Sequence, residues 1–137
     1  MSERYRVVVL SGGDTPEREI SLVTGEAVAE ALTAGGHDVD HRVLDAVADV
    51  LSMPDLVEAD VVFPALHGGA GEDGRLQATL DLMGAVYALS GPTASGLAMD
   101  KAGCKRIMRG ADIPTADWLV ACGDGCAAGG GSDPATF

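Results

Sequence analysis

The first strongly patterned stretch is YRVVVL at residues 5–10, a β-branched run that ends in Ser11-Gly12-Gly13. A short continuous apolar run closed by a glycine turn predicts a parallel strand buried on both faces. The period then changes. Apolar side chains fall at Ile20, Val23, Ala27 and Ala31, with Val28 and Leu32 beside them, so residues 20–34 predict a helix stopped by Gly35-Gly36. Residues 39–44 predict a second, weaker strand, and the mixed pattern of 45–60 predicts short helical turns around Pro54. A further apolar run, VVFPAL at 61–66, closes on His67-Gly68-Gly69. Its proline cannot donate to a ladder and belongs at a strand end or edge. Leu76, Thr79, Leu80 and Met83 have helical spacing, with Gly84 as the residue after the last turn. Residues 86–89 predict a fourth strand ending in Ser90-Gly91-Pro92, residues 94–110 a helix broken near Asp100, and residues 115–122 a final strand. Strands alternating with helices, without hairpin signals or internal repeats, predict an α/β fold: a doubly wound, mostly parallel sheet of four or five strands.

Composition sharpens this picture. At 137 residues, 47% of them hydrophobic and 22% charged, the chain fits one globular domain with its own core. Its 19 glycines imply many tight turns. Beyond Cys122 the sequence becomes GDGCAAGGGSDPATF, too poor in apolar side chains to order itself. The expected division is therefore a folded domain at 1–122 and a Gly-rich tail or linker at 123–137. No apolar stretch approaches the roughly 20 residues that span a bilayer, and residues 1–6 lead straight into a strand without a secretory apolar segment. Nine basic against 21 acidic side chains, a net charge of −12, disfavour phosphate backbones and anionic lipid surfaces as partners, and serve equally as a solubility adaptation. Cys104, Cys122 and Cys126 are an odd set without a metal-ligand pattern around them, which fits free thiols in a reducing cytosol. The expectation is a cytoplasmic protein with no nucleic-acid or membrane partner and no metal site in this chain.

Open parallel sheets bind ligands beyond the carboxyl ends of their strands. Three loops of this chain fall there: SGGDTPEREIS at 11–21, HGGAGEDG at 67–74 and SGPTASGLAMDK at 90–101. The first lacks either phosphate-cradle glycine spacing and carries Asp14, Glu17 and Glu19. Acids at this edge suit an ammonium group. Spacing alone favours helix capping, with Asp14 or Thr15 as cap and Pro16 in the first turn. His67 can hydrogen-bond a substrate carboxylate, orient a neighbouring carboxylate, or bond locally. Glu72 and Asp73 read as capping groups. Lys101 follows the helix break, either reaching a phosphate above the sheet or merely solvated. Trp118 and the methionines read as core.

Taken together, LSGGDTPEREIS, ALHGGAGEDGRLQATLDLMG, YALSGPTASGLAMDK and GADIPTADW resemble the N-terminal domain of D-alanine–D-alanine ligases, over residues 5–122 in order and spacing. HG-x-x-GEDG followed by LQ and a helix ending in Met-Gly is the most specific part. The resemblance implies a Rossmann-like pre-ATP-grasp domain of a ligase of bacterial cell-wall (peptidoglycan) synthesis. ATP and Mg2+ serve the whole enzyme and are held mainly by domains outside this chain, which is expected to be inactive alone. By the same resemblance Glu17 holds the ammonium of the first D-alanine, His67 and Gly68 belong to the substrate loop, and Lys101 of the M-D-K motif approaches the ATP phosphates. Glu17 and His67 are the catalytic candidates, and a homodimer is the implied assembly. The family usually has a glycine where Leu89 stands, which puts the course of that loop in question. From a different class, the same fold also fits a stand-alone binding or dimerisation module without catalysis.

Overall fold

The computed structural model describes residues 3–120. Strand β1 (Arg6–Gly12) lies at the centre of a parallel sheet, with β2 (Asp38–Leu44) on one side and β3 (Val61–Pro64) on the other. Helix α1 (Arg18–Ala34) joins β1 to β2, and two 3-10 turns, Val47–Ser52 and Pro54–Glu58, lead from β2 to β3. Helix α2 (Arg75–Met83) follows, then α3 (Pro92–Met99) and α4 (Lys101–Gly110).

Successive side chains of a strand point to opposite faces, and β1 fills both. Val7 and Val9 face α1, packing with Ala65, Val28, Ala29 and Leu32. Val8 and Leu10 face the other way, into a larger core with Leu44, Val50, Leu56, Val62, Leu76 and Leu80. A strand covered on both faces must be apolar at every position, which is why VVVL runs without alternation. The sheet is thus clothed on both sides, as a doubly wound fold requires.

Most boundaries follow the sequence pattern. Gly35 closes α1, and Gly84 ends α2 in the left-handed region at φ 80°. Pro64 is the last residue of β3, where no ladder donor is needed. Asp100 breaks the last helical stretch and caps α4, its side chain accepting from the Gly103 N–H at 2.9 Å.

Three expectations need correction. The sheet has three strands among the described residues, not four or five. The stretch at 86–89 contributes one parallel bridge, Val62 to Tyr87, because Leu89 turns the chain away at φ 86°. Residues 115–120 form no strand. Lys105 holds Thr115 and Ala116 by hydrogen bonds of 3.0 and 2.8 Å, and the Lys105 and Arg109 cations both lie over the Trp118 ring, so this segment lies along α4 instead of a sheet edge. Residues 121 and 122 of that expected strand, and the tail at 123–137, lie outside the described residues. Trp118 is accordingly half-buried and not core, and Met99 is exposed, whereas Met53 and Met83 do pack on the main core.

The third correction concerns the face of α1. Ile20 and Val23 are 60% and 68% exposed, and Ala27 and Ala31 are exposed as well. The helix turns Ser21, Gly25, Val28 and Leu32 inward instead. Gly25 allows the close approach: a methyl group there would overlap the Ser11 side chain and lie 2.8 Å from His41 Nε2. Ser21 is fully buried. Its hydroxyl accepts from the Gly12 N–H at 2.8 Å and donates to the Ala65 carbonyl at 2.7 Å, tying α1 to the ends of β1 and β3.

On the outer strand, Arg42 joins Asp40 and Asp55. The bonded guanidinium holds the Asp55 carboxyl below its ordinary value.

Replacing Ser21 by alanine leaves a buried N–H and a buried carbonyl without a partner. Loss of a buried partner of this kind costs about 1–3 kcal/mol. Denaturant unfolding of Ser21→Ala should show its midpoint lowered accordingly. A midpoint equal to that of the parent chain would mean that water replaces the hydroxyl.

Candidate functional site

Because β1, β3 and the Tyr87 bridge run parallel, their carboxyl ends deliver three loops to one edge. Contacts between the loops hold them against one another there. The Thr15 hydroxyl donates to the His67 carbonyl at 2.8 Å, joining the first loop to the second. Gly74, at φ 94°, lies so close to the Pro92 carbonyl that a side chain there would overlap it, which brings the second loop onto the third. Between the second loop, β3 and α3 opens a cleft of about 500 Å³. Thr24, His67, Glu72, Leu89 and Lys101 are among its lining residues.

Glu17 is the residue preceding α1, yet its side chain caps nothing. The Thr15 hydroxyl accepts from the Glu17 N–H at 3.2 Å, so the local turn is made by Thr15 and not by a carboxylate. The Glu17 carboxylate lies against Gly68 instead: a methyl group on Gly68 would sit 2.8 Å from its Oε1. Gly68 has φ 72°, so glycine suits the position both by backbone conformation and by space. Of the two readings open in the sequence, capping is thereby removed for Glu17. Asp14 is exposed and makes no cap bond to α1.

Glu72 also departs from the capping expectation. Its Oε2 accepts from the Gly68 N–H at 2.7 Å, closing the glycine loop on itself. Asp73 does stand before α2 as expected, accepting from the Arg75 N–H at 3.2 Å and pairing with the Arg75 guanidinium. That hydrogen-bonded pair pulls the Asp73 carboxyl below its ordinary value. The His67 ring is held on one side by Thr24, 3.0 Å from Nε2, and faces Glu72 on the other, with Nδ1 4.0 Å from Oε1. Carboxylates of Glu17 and Glu72 therefore meet around Gly68, with the His67 imidazole beside Glu72. Such a corner can receive a cation or an ammonium group.

Lys101 opens α4 at the rim of the cleft, its ammonium donating to the Ala98 carbonyl at 2.7 Å. It stands with Lys105, Arg106 and Arg109 on a helix that carries no acid between 101 and 110. Among the described residues no group of three or more His, Cys, Asp or Glu side chains is placed to hold a metal ion. Cys104 is a free thiol, and Cys122 and Cys126 lie outside the described residues.

Sequence reasoning saw Thr15 only as a cap and passed over its bond to His67, along with Thr24 and the bonding role of Glu72. Thr15 and Thr24 both find His67, far away in sequence, and Glu72 turns back onto Gly68 within its own loop, contacts that only the fold reveals. Leu89 was visible as a departure, and its consequence is now concrete: a leucine occupies φ 86°, a conformation that glycine adopts freely and L side chains resist.

Fold and site define a parallel α/β domain with an acidic corner at one sheet edge, Glu17 and Glu72 about Gly68, beside a cleft that His67, Glu72 and Lys101 help to line. Residues 40–90 match the family described as "D-ala D-ala ligase N-terminus". A D-alanine–D-alanine ligase of Marinomonas sp. is 46% identical over 116 residues, covering 82% of this chain and 37% of that protein. That of Parvibaculum lavamentivorans is 42% identical over 134 residues, 98% of this chain and 43% of the relative. Among solved structures, D-alanine–D-alanine ligase from Bacillus anthracis complexed with ATP superposes with a TM-score of 0.76 at 33% identity, over 86% of this chain and 38% of that one. By sequence and by fold, the chain is a member of the family formed by the N-terminal part of D-alanine–D-alanine ligases. It spans under half the length of these relatives.

Leu89 is 64% exposed, so trimming it sacrifices little burial. Holding an L side chain in the left-handed region costs about 1–2 kcal/mol. Leu89→Gly should therefore raise the unfolding midpoint, while Leu89→Ala, which keeps Cβ, should not. Equal midpoints for the two variants would remove the strain argument.

Proposed function

We propose that this chain is the substrate-facing N-terminal domain, residues 1–122, of an ATP-dependent D-alanine–D-alanine ligase, with residues 123–137 as its linker. The observation that carries the proposal is the Glu17 carboxylate set against Gly68, free of any capping duty and next to the His67–Glu72 pair. A carboxylate so placed suits the ammonium of the first D-alanine. In the complete reaction ATP phosphorylates the carboxylate of that D-alanine, and the amine of a second D-alanine displaces the phosphate to make the dipeptide for peptidoglycan. This domain contributes by holding and orienting the first amino acid, which removes orientational freedom before the bond forms.

Lys101 at the cleft rim suits a single contact to an ATP phosphate. On the same reading ATP and Mg2+ are held mainly by other parts of the ligase, and the 137-residue chain alone is expected to be inactive. The exposed stripe of Ile20 and Val23 on α1 supports homodimer formation. No helix of the described residues is long and apolar enough to cross a membrane, and the reading places the enzyme in the cytoplasm.

Titration of D-alanine into the 137-residue chain, followed by amide NMR, should move Thr15, Glu17 and His67 more than L-alanine does. Equal responses to the two enantiomers would remove the substrate assignment. Calorimetric titration with ATP and Mg2+ should show no sub-millimolar binding, and D-alanine should elicit no phosphate release. Either signal would place the nucleotide site within this chain. In a ligase that joins this domain to its ATP-grasp domains, Glu17→Gln removes a charge-assisted hydrogen bond worth about 1.5–3 kcal/mol. First-site D-alanine binding should weaken tenfold or more. An unchanged Michaelis constant and turnover would reduce Glu17 to a structural residue.

A further inference from the structure

Thr24 stands on α1, one turn beyond Ile20, where its hydroxyl meets the ring of His67. That hydroxyl has two close contacts: the Ile20 carbonyl oxygen at 2.9 Å and His67 Nε2 at 3.0 Å. A threonine hydroxyl owns one proton and can accept on its lone pairs. The Ile20 carbonyl has no proton and can only accept, so the hydroxyl proton goes there. The contact with the ring must then use a proton on Nε2, donated to Thr24 Oγ1. Both contacts coexist in one tautomer of the neutral imidazole, with Nε2 protonated and Nδ1 bare. The other side of the ring agrees. Nδ1 is 4.0 Å from Glu72 Oε1, too far for a hydrogen bond, as expected when neither a bare nitrogen nor a carboxylate has a proton to share. The main chain fixes the rest of the residue, because the His67 carbonyl accepts from Thr15.

We propose that Thr24 is a positioning residue that fixes His67 as the Nε2–H tautomer, presenting Nδ1 as an acceptor to the corner formed by Glu17, Gly68 and Glu72. A neutral ring in this state joins two carboxylates in a set of acceptors. Its Nδ1 can accept a hydrogen bond from an ammonium group but has no proton to donate to a carboxylate. This extends the proposed amino-acid site by stating which end of the amino acid the corner receives, and in that respect it rests on that proposal.

The test is long-range proton–nitrogen correlation spectroscopy of the 15N-labelled 137-residue chain at about pH 8, above the ordinary imidazole range. His37→Gln and His41→Gln single variants identify the His67 ring signals. His67 should show a protonated Nε2 and an unprotonated Nδ1 as its dominant form. Thr24→Val, close in shape but without the hydroxyl, should lose that dominance and give mixed tautomers while its amide spectrum stays folded. Thr24→Ser should restore the parental pattern. A dominant Nδ1–H form in the parent chain, or a Thr24→Val ring indistinguishable from the parent, overturns the proposal. If Thr24→Val does not fold, the parental spectrum and the Thr24→Ser ring decide it by themselves. D-alanine is then added to the parent chain and should move Nδ1 more than Nε2. A ring that keeps its Thr24-dependent tautomer but ignores D-alanine counts against the amino-acid site and leaves the role of Thr24 standing.

Discussion

Much of this domain hangs on one hydroxyl. Ser21, fully buried, satisfies the amide of Gly12 and the carbonyl of Ala65, the first backbone groups left over as β1 and β3 run out. Sheet ends are costly to bury because their polar groups have lost their ladder partners. A serine one turn into a helix pairs both groups, and in doing so it sets the depth at which α1 lies on the sheet. Once that depth is set, Gly25 is required beneath Ser11, Thr24 comes to stand over His67, and the Glu17 carboxylate arrives above Gly68. The architecture and the candidate site thus share a fixing point.

The strands were legible because β1 is covered on both faces, and a double cover demands an unbroken apolar run. The ends of α2 and β3 were legible because glycine and proline act through their own backbones: Gly84 at positive φ and Pro64 at the last ladder position need no knowledge of the rest of the molecule. The face of α1 was not legible. Its start covers a polar strand end, where Ser21 and Gly25 serve better than leucine, and the apolar residues Ile20 and Val23 were left on the outside. A pattern that equates apolar with inward fails wherever a helix must bond to a sheet end as well as cover it.

The candidate site was legible in a different way. Glu17, His67, Gly68 and Lys101 were singled out through the resemblance of whole loops, while charge and spacing alone favoured capping for the acids of the first loop and solvation for Lys101. The fold separated those readings at Glu17 and Glu72 by showing where each carboxylate goes. It could not have been otherwise for Thr24, which looks like any helical threonine until its neighbour 43 positions away is seen across the gap. The last expected strand failed for the opposite reason: the segment near Trp118 found cations on α4 in preference to a sheet edge.

The cluster on α4 gives the molecule a lopsided electric field. Four of the nine basic side chains, Lys101, Lys105, Arg106 and Arg109, lie on this one ten-residue helix, and it bears no acid. Elsewhere the cations at Arg6, Arg18, Arg42 and Arg75 are each paired with a nearby carboxylate, and on α4 Arg109 pairs with Asp117, within a chain of net charge −12. A small anion wandering in from solution is therefore turned back over most of the surface and drawn toward the α4 end. Salt shortens the reach of that guidance to roughly 10 Å at moderate ionic strength. The approach of anions to the cleft rim, as distinct from their binding once there, should be fastest in dilute buffer.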